Sequence, residues 1–321
     1  MSSLAAEIVF DHVTKRYPGA AAPAVDDLSL VIPAGEICVL VGPSGGGKTT
    51  AMKMVNRLID ITEGDIRIGG QSVRALETTE LRRGIGYVIQ QTGLFPHMTV
   101  AENVATVPRL LGWDKRRTDA RVDELLDLVD LPARDYRARY ATQLSGGERQ
   151  RVGLARALGA DPPVMLMDEP FGALDPITRT RLQHELLRIH GAVGKTVIFV
   201  THDIDEAIMM GDRIAILRPG GRLAQYDTPE ALLAEPADDF VASFVGGDRG
   251  LKRLSLVRLD EVELDPLDGH VAVPALPGRT SLRDALSTML TEGTSSVVVL
   301  DEDGEPVGRL SLDALSARLA T

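Results

Sequence analysis

The chain has 321 residues, 44% of them hydrophobic and 25% charged, which is enough for a sizeable core divided into about two domains. With 46 acidic against 35 basic residues its net charge is −11, which disfavours a long polyanion such as a nucleic acid as partner, so any bound anion must be held locally. The single cysteine, Cys38, lies in an apolar run; it excludes a disulfide framework and reads as a buried thiol in a reducing compartment. The first residues lack the basic and apolar regions of a secretory signal, and no apolar run approaches the roughly 18 residues needed to cross a bilayer. Work at a membrane would need other subunits to provide the span.

Residues 7 to 41 alternate like strands, as in Ile8-Val9-Phe10 and again from Leu28 to Ile32, with Pro-Gly and Pro-Ala-Gly turns between them. The apolar run Ile37-Cys38-Val39-Leu40 leads into VGPSGGGKTT, in which Gly42 to Thr49 fits G-x-x-x-x-G-K-[ST] between a strand and a helix. Glycines let backbone N–H groups turn inward around phosphate oxygens, and the following helix presents its positive N-terminal end. The candidate nucleotide-binding set is Gly42, Ser44, Gly45, Gly46, Gly47, Lys48, Thr49 and Thr50, with Lys48 reaching the β- and γ-phosphates and Thr49 ligating Mg²⁺. A flexible glycine turn is the bland alternative. A strand over Asp65, Ile66, Arg67 and Ile68 ends at Gly69-Gly70.

Residues 118 to 160 read as mostly helical, with Val122, Leu125, Leu126 and Val129 on one face. Within them, Leu144-Ser145-Gly146-Gly147-Glu148-Arg149-Gln150 opens a helix; Ser145 and Glu148 have capping-box spacing, and the two glycines expose N–H groups to an anion. Short apolar strands return at 164–167 and 196–200, separated by a helical stretch at 176–190, and this alternation predicts an α/β core with a parallel sheet. The first of these strands ends in Asp168-Glu169. Beside a P-loop, Asp168 is placed to hold Mg²⁺ through water and Glu169 to polarise the attacking water.

These residues together resemble the ATP-binding subunit of an ABC transporter, over about residues 7 to 245. The resemblance implies a P-loop (RecA-like) α/β core with antiparallel β and helical subdomains, binding ATP and Mg²⁺. It implies a homodimer that sandwiches two ATP molecules, Ser145, Gly146 and Gly147 of one copy touching the γ-phosphate bound by the other. Tyr17 then matches the aromatic that stacks on adenine, and Gln90 the glutamine that touches Mg²⁺ and signals to transmembrane permease subunits, with Gln91 a competing candidate. Asp175 matches the loop that crosses the dimer interface, and His202 the γ-phosphate sensor acting with Glu169. A solute-binding protein is implied indirectly, and the expected location is the cytoplasmic face of the cell membrane. The stretch from Ile85 to Met98 resembles importers of quaternary amines such as glycine betaine, carnitine or choline. An importer of another solute, or a soluble ABC ATPase outside transport, are the alternatives, although no sustained heptads fill the stretch from Gln90 to Leu144.

The run from Arg249 to Arg258 carries four basic residues and no acid, so the expected division is an ATP-binding domain at 1–246, a basic, solvated linker at 247–258 and a small α+β module at 259–321. In that module Leu282, Ala285, Leu286, Met289 and Leu290 have helical spacing, followed by strands at 296–300 and 307–310 and a helix from Leu312. With a possible strand near 257–263, the order is similar to one CBS motif. CBS motifs work in pairs, which implies a second copy as partner. Ser311 and Asp313 stand two apart rather than the three of nucleotide-binding CBS motifs.

Overall fold

Apolar runs with no polar alternation make central strands, buried on both faces, and half-apolar runs make strands with one wet face. The computed structural model, which describes residues 4–90, 93–172, 174–267 and 273–319, follows that rule, and the chain separates into two compact units, 1–227 and 228–321.

In the first unit β1 (Ile8–Lys15) pairs antiparallel with β2 (Val25–Ile32), whose alternate residues Leu28, Leu30 and Ile32 are buried. All five residues of β3 (Ile37–Val41) are buried, including Cys38, whose thiol burial pushes up to about 12. Then come α1 (Lys48–Val55), β4 (Glu63–Ile68), β5 (Gln71–Ser72), α2 (Thr78–Arg83) and β6 (Ile85–Val88). Five helices follow: α3 (Val100–Val104), α4 (Thr106–Leu110), α5 (Lys115–Leu128), α6 (Ala133–Tyr136) and α7 (Gly146–Leu158). The anticipated stripe Val122, Leu125, Leu126 and Val129 is buried. The core resumes with β7 (Val164–Asp168), α8 (Pro176–Val193), β8 (Thr196–Val200), α9 (Ile204–Met210), β9 (Arg213–Arg218) and β10 (Arg222–Asp227).

Two sheets result. One is antiparallel, in the order β2-β1-β4-β5; the other runs β10-β9-β3-β8-β7-β6 and is parallel except for β10. Helix α1 buries Ala51, Met52, Met54 and Val55 in one apolar cluster with residues of both sheets. In the parallel sheet, β3, β8, β7 and β6 are successive neighbours, so the loops leaving their carboxyl ends lie side by side.

The second unit contains α10 (Pro229–Ala234), α11 (Asp239–Val245), α12 (Arg249–Leu256), β11 (Ala275–Pro277), α13 (Leu282–Glu292), β12 (Ser296–Leu300), β13 (Pro306–Ser311) and α14 (Leu312–Leu319). Two expectations are corrected here. The strand sought near 257–263 is a 3-10 turn at Leu259–Glu261, and the strand that completes the β-α-β-β-α order is β11, parallel to β12. The basic stretch is helix α12 rather than a solvated linker: Leu254 joins the core with Leu282, Met289 and Val297, and Lys252 is buried, its ammonium donating to the Val245 carbonyl at 2.8 Å.

Candidate functional site

The loop between β3 and α1 can take its shape only with glycine. At Gly42, with φ +151°, a Cβ would lie 2.2 Å from the Leu217 carbonyl oxygen; at Gly47, with φ +75°, it would lie 2.3 Å from that of Ala24. Gly47 caps α1 without a side chain, and no acid stands in the helix's first turn, so the first N–H groups are left to an anion. Lys48 folds back over the loop, Nζ donating to the carbonyls of Gly42 at 2.7 Å and Pro43 at 2.9 Å. Burial lowers the Lys48 pKa, and the negative charge of Glu169 opposes that shift. Ser44, Gly45, Gly46, Gly47, Lys48, Thr49 and Thr50, with Glu169 and His202, line a cleft of about 390 Å³.

The neighbouring strands bring the rest. Asp168, at the end of β7, accepts a hydrogen bond from the Thr49 hydroxyl at 3.1 Å, and Oδ2 lies 3.8 Å from Lys53 Nζ. Thr49 and Lys53 are one helical turn apart on α1, a spacing that the sequence offered and the motif reading passed over. Glu169 is the first residue beyond β7. Its backbone takes the left-handed conformation, φ 45°, while its N–H donates to the Val200 carbonyl at 3.0 Å. Its carboxylate accepts from Gln90 Nε2 at 3.0 Å and lies 3.3 Å from His202 Nδ1. Gln90, Glu169 and His202 thus meet, although they leave three different strands. Gln91 and Ala173 lie outside the described residues.

The remaining candidates stand apart from the cleft lining. Ser145 caps α7 in a reciprocal box with Glu148: the Glu148 N–H donates to Ser145 Oγ at 3.3 Å and the Ser145 N–H to Glu148 Oε2 at 2.7 Å. Tyr136, which the motif did not single out, donates its hydroxyl to Glu148 Oε1 at 2.6 Å, and this bond with the Ser145 N–H holds the Glu148 carboxyl down at about 2. A Cβ on Gly146 or Gly147 would meet Leu174 and Thr178, so this helix start packs beside the loop of Asp175, which caps α8 through the Thr178 N–H at 3.0 Å. Tyr17 is 40% exposed, with Lys15 Nζ 5.1 Å from its ring centroid. Among the described residues no helix is long and apolar enough to cross a membrane.

Residues 25–172 match the ABC transporter family and residues 270–320 the CBS domain. The osmoprotectant import ATP-binding protein OsmV of Salmonella typhimurium is 49% identical over 304 residues, covering 94% of this chain and 78% of that protein. The glycine betaine uptake system ATP-binding protein YehX of Escherichia coli is 47% identical over 311 residues, covering 96% and 98%. Among solved structures, a dimeric ATP-binding cassette in a post-hydrolysis state bound to ADP and phosphate superposes with a TM-score of 0.60 at 34% identity, covering 69% of this chain and 98% of that one. The phosphate-binding loop, the two acids after β7 and the capped glycines of α7 have their explanation in this kinship: the chain belongs to the ABC transporter family as an ATP-hydrolysing subunit that carries a CBS domain.

Proposed function

We propose that this subunit powers the import of quaternary-amine osmoprotectants, working as a homodimer bound to transmembrane permease subunits at the cytoplasmic face of the cell membrane. The observation that carries the hydrolytic part is the meeting of Gln90, Glu169 and His202 at the edge of the glycine-lined cleft. The loop N–H groups and Lys48 hold the β- and γ-phosphates of ATP. The Thr49 hydroxyl, the Asp168 carboxylate and the Gln90 amide are hard oxygen donors, and the first two already lie within hydrogen-bond distance, a set that suits Mg²⁺. Bound there, Mg²⁺ would neutralise charge on the transferring phosphoryl group. Glu169 takes a proton from the attacking water or polarises it, and His202 orients the γ-phosphate beside it. Tyr17 offers its exposed ring to adenine.

Ser145, Gly146 and Gly147 do not line the cleft of their own chain, which supports their acting on ATP held by a second copy, across the Asp175 loop. A separate cleft of about 250 Å³, lined by Arg82, Arg83, Tyr87, Phe95 and Arg156 among others and by no acidic residue, lies next along the chain from Gln90 and suits a permease loop. The solute class rests on the relatives, whose names specify osmoprotectant import and glycine betaine uptake. Solute reaches the permease through a solute-binding protein that this chain does not touch. The C-terminal unit is a regulatory module whose single CBS motif pairs with that of the second copy.

The test is to assemble the full-length chain with its membrane partners in liposomes and measure ATP-driven uptake of glycine betaine, carnitine and choline. Uptake is expected for at least one of them and is expected to vanish with Lys48→Ala, which removes a charge-assisted contact worth about 1.5–3 kcal/mol. ATP hydrolysis without uptake of any quaternary amine would refute the solute class.

A further inference from the structure

Glu206, on α9, is a buried carboxylate that no step above uses; it is 8% exposed. Gln183 of α8, itself 6% exposed, donates its amide to Glu206 Oε1 at 2.9 Å. The Thr201 hydroxyl donates to the same carboxylate and accepts the Asp203 N–H at 3.1 Å. Asp203 in turn caps α9, Oδ1 accepting the N–H of Asp205 at 2.9 Å and that of Glu206 at 3.3 Å. Both chain neighbours of His202 are therefore fastened around Glu206. The His202 side chain between them is 66% exposed and reaches Glu169 Oε1 at 3.3 Å. So exposed a ring has little packing to aim it, and its direction follows from the turn that carries it.

Burying a carboxylate is costly unless its oxygens are satisfied, and an apolar residue would fill the inner face of α9 without that cost. Burial does raise the Glu206 pKa, against the hydrogen bonds from Thr201 and Gln183 and the nearby charge of Arg179, while Asp203 adds to the rise. Arg179 stands one turn before Gln183 on α8 and donates to the Leu174 carbonyl at 3.3 Å, so the face of α8 that holds Glu206 is also tied to the loop before Asp175.

We infer that Glu206 is a positioning residue for hydrolysis: with Thr201 and Gln183 it locks the turn that aims His202 at Glu169. The inference rests on the roles given above to His202 and Glu169.

The experiment uses the full-length chain assembled with its membrane partners. Glu206→Gln keeps the volume but loses the second acceptor oxygen, and is expected to lower kcat about tenfold at saturating MgATP with KM within about twofold. Thr201→Val, which removes the hydroxyl's bonds to Glu206 and to the Asp203 N–H and leaves the carboxylate in place, is expected to do the same. Unchanged ADP affinity and thermal midpoint would show that neither variant acts through the phosphate loop or the fold. In a His202→Ala background Glu206→Gln should cost nothing further, since the ring it aims is gone. A wild-type kcat in both Glu206→Gln and Thr201→Val overturns the inference, as does a loss that persists undiminished without His202. A wild-type rate for His202→Ala alone would overturn the reading of His202 itself, and the positioning role with it.

Discussion

Replacing Glu169 with glutamine tests the water activation proposed for it apart from the rest of the site. The side chain is 25% exposed and accepts from Gln90 Nε2 while lying 3.3 Å from His202 Nδ1. A glutamine keeps one acceptor oxygen, and rotation of the Gln90 amide can turn its oxygen toward the new NH₂, so at most one hydrogen bond is lost, about 0.5–1.5 kcal/mol. The work on the attacking water proposed for the carboxylate is larger, about 10²–10⁴-fold in rate, or about 3–5 kcal/mol on the barrier. The contacts proposed for phosphate come from the glycine loop, Lys48 and Thr49, which line the cleft and which the change leaves in place. Phosphate release at saturating MgATP is thus expected to fall at least about a hundredfold. Nucleotide binding and the melting temperature should stay near wild type, and ATP should trap a dimer visible by size exclusion with light scattering. Turnover within about threefold of wild type would show that Glu169 is not the group that activates water.

Two further perturbations probe the supports of the site. Gly47→Ala places a Cβ 2.3 Å from the Ala24 carbonyl at a φ of +75°, a conformation that costs a residue with a side chain about 1–2 kcal/mol before the clash is counted. Calorimetric titration with ADP should show at least about tenfold weaker binding, and an unchanged affinity would mean that the loop's shape does not matter to phosphate. Tyr136→Phe removes the largest of the contributions, ahead of the Ser145 hydrogen bonds, that together hold the Glu148 carboxyl down at about 2. A depressed carboxyl stabilises the fold fully above its ordinary value and loses that contribution as the pH falls toward 2. Because Glu148 is partly exposed, the cost at pH 7 is about 1 kcal/mol, and urea denaturation of both chains should show the gap closing as the pH drops below about 4.

The site was legible where chemistry and chain order coincide. The glycine loop, Lys48 and Thr49 are contiguous, Asp168 and Glu169 close an apolar strand, and each motif carries its own physical reason. What the sequence does not display is proximity. Gln90 meets Glu169 across the sheet because β6 and β7 are neighbours, and Tyr136 meets Glu148 because α6 folds back on α7. Charge also misled: the basic run at 249–258 suggested solvent, yet helical winding turns Leu254 inward and lets Lys252 spend its ammonium on the end of the preceding helix. The missed strand β11 is only three residues long, Ala275–Pro277, too short for an alternating pattern to register.

The left-handed backbone of Glu169 bears on how this protein responds to selection for heat resistance. Glutamate tolerates φ 45° poorly, whereas glycine and asparagine adopt it at little cost. A library screened only for survival on heating would therefore enrich glycine or asparagine at position 169, gaining about 1 kcal/mol. With the role proposed above for Glu169, the clones it favoured at this position would be sturdier cassettes that still grip ATP and can no longer cleave it. The proposed hydrolytic role and ruggedness pull this one residue in opposite directions, and any effort to harden the subunit needs a turnover screen alongside the thermal one.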